Sequence, residues 1–97
     1  MTTDSAEVVV RDDADDLRYE LVVDGRVVGE ILYRRRPGGI ALVHTEVEPA
    51  LEGRGLASRL VAGALDDIRA RQLRVIPICP FVRSFIERHP EYSDLVA

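Results

Sequence analysis

A chain of 97 residues holds one domain, spanning residues 1–97, and leaves no room for a second core. With 46% hydrophobic and 31% charged residues of mixed sign, it reads as a folded domain rather than a disordered segment. The formal net charge of −4 argues against a nucleic-acid binder, which needs a basic face, and is compatible with a cationic partner.

Residues 1–6 read as a frayed start. Glu7-Val8-Val9-Val10-Arg11 is a β-branched run and predicts a strand, followed by a polar turn over Asp12–Asp16. Leu17-Arg18-Tyr19-Glu20-Leu21 alternates apolar and polar residues, the period of a half-buried strand. Asp24-Gly25 signals a two-residue hairpin, because both turn positions need positive φ. The returning strand runs from Arg26 to Tyr33, and Pro37-Gly38-Gly39 makes the next turn. Ile40-Ala41-Leu42-Val43 is apolar on both faces and belongs in the middle of a sheet; that strand continues to Val47 and stops at Pro49.

The period then changes. Leu56, Leu60, Val61, Ala64, Leu65 and Ile68 recur every three to four residues, predicting an amphipathic helix from about Gly55 to Arg71. Leu73–Ile78 is a further strand, parallel to the one ending at Val47 because a helix connects them. Pro80 opens a last helix, with Phe81, Phe85 and His89 on its inner stripe, and Pro90 ends it. The expected fold class is a mixed α/β sheet with antiparallel N-terminal hairpins and one central parallel pair. One long helix and a short C-terminal helix complete it.

Glu52-Gly53-Arg54-Gly55-Leu56-Ala57 sits where a central strand meets the long helix. The first N–H groups of a helix have no intrahelical partner and the macrodipole is positive there, so the junction suits an anion. Gly53 and Gly55 let a phosphate approach the backbone, while Arg54 and Arg59 add charge. The same glycines also suit a plain tight turn. The spacing is neither the dinucleotide fingerprint nor a P-loop, which carries Lys-Ser/Thr. A diphosphate on a shorter loop remains, and coenzyme A carries one.

This loop, after Thr45-Glu46-Val47 and before the helix, resembles the Q/R-x-x-G-x-G/A signature of the GNAT superfamily of N-acetyltransferases. Cys79-Pro80-Phe81-Val82-Arg83-Ser84-Phe85-Ile86 through Tyr92 resembles the minimal GNAT-like members of about this length, as does His44-Thr45-Glu46-Val47. The resemblance covers nearly the whole chain. It implies an acetyl-CoA-dependent N-acetyltransferase with no metal. The two parallel strands should splay, here between His44–Val47 and Val75–Ile78, and admit the pantetheine arm. The implied coenzyme-binding residues are Thr45, Val47, Gly53, Arg54, Gly55, Leu56, Ala57 and Arg59. Two departures stand out. Glu52 replaces the usual Gln or Arg, and its carboxylate cannot donate to a phosphate. Many larger members carry Asn at the position of Cys79 and a Tyr, the usual general acid, near Ile86.

Attack of a neutral amine on a thioester requires a base for the amine and an acid or nucleophile near the leaving sulfur. His44 and Glu46 lie two apart on a strand, share a face and are candidate bases, although either also suits a solvated strand end. Cys79 precedes Pro80 at a helix N-terminus, where a thiol gains thiolate character, and stands across the splay. It is the candidate nucleophile or acid; a small buried hydrophobe is the bland reading of the same residue. His89 better suits the end of its helix, satisfying backbone carbonyls.

The acceptor is expected to be an amine, either a small molecule or a protein lysine or N-terminus, with no nucleic acid or membrane involved. All 13 basic residues are arginine, so such a catalyst would have no lysine of its own to acetylate. A single cysteine, no apolar run of signal length and no spanning stretch point to the cytoplasm. The rival reading is a non-catalytic acyl-CoA-binding module; a pure interaction domain would show no coenzyme affinity.

Overall fold

The computed structural model describes residues 7–97, so the expectation for the first six lies outside the described residues. Strands β1 (Val8–Asp13), β2 (Arg18–Val23), β3 (Arg26–Arg36) and β4 (Gly39–Val47) run up and down. Helix α1 (Leu56–Ala70) crosses back to β5 (Arg74–Pro77), and α2 (Pro80–Arg88) leads into a 3-10 stretch over Pro90–Leu95. Asp24 at φ 50° and Gly25 at φ 83° make the tight β2–β3 turn that Asp-Gly predicts. Leu17, expected as a strand residue, instead takes φ 52° at the end of a 3-10 turn.

The sheet order is β1-β2-β3-β4-β5, with only β4 and β5 parallel. The parallel pair therefore lies at one side of the sheet and not in its middle as expected. A strand-helix-strand connection fixes direction but not what lies beyond. Among the described residues, only a bridge from Val96 to Val75 flanks β5 on that side.

Both helices pack on one face of the sheet and on each other. Leu60, Val61, Ala64, Leu65 and Ile68 of α1 join Leu21, Ile31, Leu42 and Val75 in a single core. Each buried Leu, Ile or Val side chain stabilises the fold by roughly 1.5–3 kcal/mol relative to exposure. Gly63 lets α1 lie close to β1, since a Cβ there would come within 2.6 Å of Val10. At the C-terminal half of α1, Tyr19 OH donates to Asp67 at 2.7 Å and Tyr33 OH to Asp12 at 2.6 Å. Arg71 ties both carboxylates together, at 2.8 Å from Asp12 and 3.0 Å from Asp67.

The other face of the sheet carries charge. Glu20, only 3% exposed, accepts from Arg11 at 2.8 Å and Arg18 at 3.0 Å, and Arg18 continues to Glu30 at 3.0 Å. No buried side-chain N or O atom among the described residues lacks a partner.

Candidate functional site

The site begins where β4 and β5 part. Their pairing runs from Gly39 opposite Arg74 to Leu42 opposite Pro77. One further bond, from Cys79 N–H to the Leu42 carbonyl at 2.9 Å, closes the fork. Beyond it β4 continues for five residues, Val43–Val47, with no β5 partner. The splay thus lies between Val43–Val47 and the turn from Ile78 into α2. Val75, Ile76 and Pro77, expected to flank it, are still paired.

A bulge sets which side chains face which way. Leu32 pairs with His44 and Tyr33 with Leu42, leaving Val43 as an extra residue on β4. Strict alternation would put His44 on the same face as buried Leu42. The bulge reverses this, so Thr45 and Val47 turn toward the helices while His44 and Glu46 turn outward.

On the helix side, Thr45 Oγ1 and Cys79 Sγ lie 3.3 Å apart at the fork. Cys79 is buried and is the N-cap residue of α2, where Pro80 follows and no side chain caps the first turn. A thiol is thus held beside the first open N–H groups of a helix, next to the unpaired edge of β4. On the outer side, His44 Nε2 lies 3.8 Å from Glu46 Oε1 and both side chains are mostly exposed. The structure therefore does not gather the three candidate catalytic residues. Cys79 is on one face of β4, and His44 and Glu46 are on the other.

Below the fork, Val47, Gly53, Gly55, Leu56 and Ala57 line a cavity of about 210 Å3, joined by Leu51, Glu52, Ser58 and Phe81. Gly53 at φ 85° and Gly55 at φ 74° hold left-handed conformations, and a Cβ at either would meet nothing within 4 Å. The cradle is open where a side chain would fill it. Gly55 is the N-cap of α1 and no side chain satisfies the first turn. This arrangement fits a diphosphate on backbone N–H groups. Glu52 lines the same cavity and repels such an anion, so charge compensation falls to arginine. Arg54 is exposed beside the loop, whereas Arg59 lines a different hollow one turn further along α1.

Sequence reasoning missed Phe81 and Ser58 as lining residues. Phe81 was read as packing stripe, and only half of that reading holds, since it is partly exposed on the cavity. His89 behaves as its position predicts: its Nδ1 lies 2.9 Å from the Phe85 carbonyl.

A family model described as GCN5-related N-acetyl-transferase matches residues 18–95, which take in the fork, the glycine loop and both helices. The chain belongs to this family. Protein NATD1 of Bos taurus is 37% identical to it over 51 residues, 53% of this chain. The match spans 45% of that protein, so the chain corresponds to under half of its length. A GCN5-like protein from Staphylococcus aureus, solved in solution by NMR, superimposes with a TM-score of 0.69 at 23% identity. That comparison covers 98% of this chain and 91% of the other, and it establishes a shared fold. Among the described residues, no cluster could hold a metal ion and no helix is long and apolar enough to cross a membrane.

Proposed function

We propose that this family member transfers an acetyl group from acetyl-CoA to an amine. The observation that carries the reading is the fork. An unpaired strand edge, a thiol at a helix N-terminus and an open glycine cradle lie on the helix side of the sheet, with Val47 of that strand lining the cradle. A pantetheine arm needs backbone groups to pair with, and Val43–Val47 offers them. The diphosphate would rest on the open N–H groups at the start of α1, and the thioester would lie by Cys79.

The acceptor would approach from the opposite face of β4. There Val27, Gly29, Glu30, Glu46 and Glu48 line a hollow of about 290 Å3. Its carboxylates favour an acceptor that is cationic before it reacts. Glu46, with His44 beside it, takes the proton the ammonium must lose before nitrogen attacks the thioester carbon. The C–S bond then breaks, and the leaving thiolate takes a proton. In one route Cys79 S–H supplies that proton and is restored from solvent. In the other, Cys79 thiolate attacks first, releasing coenzyme A thiol and forming an acetyl-cysteine, which the amine then cleaves. Thr45, within hydrogen-bond reach of the sulfur, serves either route.

Replacing Cys79 tests the assignment. Cys79→Ala should lower turnover roughly a hundredfold or more, the usual scale of acid–base and nucleophilic contributions, while coenzyme affinity barely moves. Cys79→Ser keeps the shape with a far poorer nucleophile and separates packing from chemistry. An acetyl adduct in the intact mass after brief exposure to acetyl-CoA, lost in Cys79→Ala, marks the covalent route; without an adduct, a fall in turnover in Cys79→Ala is left to the acid route. Full activity in Cys79→Ala would remove the thiol from the reaction. Coenzyme affinity without thiol release for any amine would instead make the protein an acyl-CoA-binding module.

A further inference from the structure

The outer face of the β3–β4 hairpin carries a second hollow, next to the one given above to the acceptor. It measures about 410 Å3 and is lined by Asp16, Leu17, Leu32, Tyr33, Arg34 and Val43. Alternation along β3 is uninterrupted from Glu30 to Arg34, because the extra residue of the bulge belongs to β4. Ile31 and Tyr33 belong to the core beneath the helices, so Glu30, Leu32 and Arg34 point to the outer face. The acceptor hollow takes Glu30 and Glu46 from these strands, and the second hollow takes Leu32, Arg34 and Val43. The two therefore lie end to end along one hairpin, meeting at the Leu32–His44 pair.

We propose that the second hollow is a carboxylate subsite for the acceptor, with Arg34 as the residue that binds the carboxylate. The acceptor is then an elongated amino carboxylate: a primary amine at one end, a carboxylate at the other and an apolar stem between. The inference rests on the acetyl-transfer reading above and names the class of amine that reading would take.

Three features carry it. The first is the pairing of charges on this face. Glu48 meets Arg26 at 2.6 Å and Glu30 meets Arg18 at 3.0 Å, so both of these carboxylates of the acceptor hollow already hold a guanidinium. Glu46, in the same hollow, has only His44, at 3.8 Å. Arg34 makes no ion pair or side-chain hydrogen bond among the described residues, whereas Arg11 and Arg18 on the same face are committed to Glu20. An uncommitted carboxylate and an uncommitted guanidinium thus share one face, and a ligand with the opposite charge at each end meets both. The second feature is the surface between them. Leu32 is 37% exposed, and so is Leu17, which is held at φ 52° on the rim of the second hollow. An apolar stem lying there takes both side chains out of water. The third is length. Glu46 pairs with Glu30, and four residues of β3 separate Glu30 from Arg34, about 13 Å between backbone positions. Both side chains are long and flexible, so a stem of roughly 10 Å, the span of three extended residues, bridges the remainder. Asp16 also lines the second hollow and opposes an anion there, so the carboxylate is placed on the β3 side, at Arg34.

Thiol release from acetyl-CoA by the full chain tests this with three amines of equal stem: 8-aminooctanoate, octylamine and 1,8-diaminooctane. Their far ends are a carboxylate, a methyl group and an ammonium. The wild type should prefer 8-aminooctanoate over each of the others by about fivefold or more in kcat/KM, carried by KM because the contact is remote from the reacting nitrogen. Arg34→Gln should erase that preference, and Arg34→Glu should reverse it in favour of 1,8-diaminooctane. Position 34 is exposed, so both variants should fold, which a melting curve checks. Arg36 lies on the same face of β3 but outside the hollow, and Arg36→Gln should keep the preference. Equal wild-type values for the three amines would overturn the subsite while leaving acetyl transfer intact. So would a preference that survives Arg34→Gln, or one lost as fully in Arg36→Gln. Thiol release with none of the three would overturn this acceptor class; acetyl transfer itself is decided separately, by the Cys79 variants and a wider panel of amines.

Discussion

The two ends of α1 are built on opposite plans. At the C-terminal end, Asp12, Asp67, Tyr19, Tyr33 and Arg71 form a closed network in which every hydroxyl and carboxylate has a partner. At the N-terminal end, glycines in left-handed conformations lead into an uncapped first turn, beside a strand edge that has no pairing partner among the described residues. The contrast separates tasks along one helix. One end anchors α1 to the sheet, and the other leaves backbone polar groups open, where the proposed reading puts the diphosphate.

The sharpest way to break this division is to strike the anchored end. Asp67→Ala removes the acceptor of a Tyr19 hydroxyl that is 1% exposed. A buried hydroxyl without a partner costs about 1–3 kcal/mol, and the lost Arg71 contact adds to it. Chemical denaturation should show a loss near 3 kcal/mol with coenzyme affinity unchanged at temperatures where the protein stays folded. A large fall in affinity would show that the two ends are coupled. At the open end the reverse is expected. Gly55→Val places a branched side chain at φ 74°, costing roughly 1 kcal/mol of stability, and fills the cradle. Coenzyme affinity measured by calorimetry should drop about tenfold or more. Wild-type affinity would exclude the loop from the site.

The smallest effect is confined to alkaline pH. Burial and the hydrogen bond to Asp12 push the Tyr33 hydroxyl up to about 12, and burial and Asp66 do the same for Tyr92. Burial and Asp67 raise Tyr19 as well. A raised folded value means that these bonds contribute fully below the unfolded tyrosine value near 10 and are lost as pH climbs through 12. Melting temperature should therefore hold up to about pH 10 and fall between pH 10 and 12. Tyr33→Phe should flatten part of that fall; a variant with the wild-type slope would remove Tyr33 from the effect.

Much of this was legible in the sequence, for local reasons. Asp24-Gly25 specifies its turn through backbone sterics, and the stripe from Leu56 to Ile68 specifies α1 through its period. The left-handed turn at Gly53 and Gly55 was legible because the change of period at Leu56 marks a strand-to-helix junction and glycine is the residue that takes positive φ there. The edge position of β5 was not, because it depends on what lies beyond the strand. The bulge at Val43 escaped too, since nothing in Leu42-Val43-His44 marks it. That single extra residue decides that Thr45, and not His44, meets Cys79. The Thr45–Cys79 contact itself joins residues 34 apart in sequence and exists only once β4, α1 and α2 are packed.

The tail beside β5 has a consequence for how molecules of this protein behave toward one another. β5 has four residues, the last of them Pro77, and its outer rim is flanked by Val96, with Ala97 N–H bonded to the Val75 carbonyl at 2.9 Å. A bare rim of that kind recruits strands from neighbouring molecules. By lying along it, Val96 and Ala97 deny the surface to other chains, so a variant lacking these two residues should be the one that clumps on concentration while its dilute solutions keep the wild-type fold.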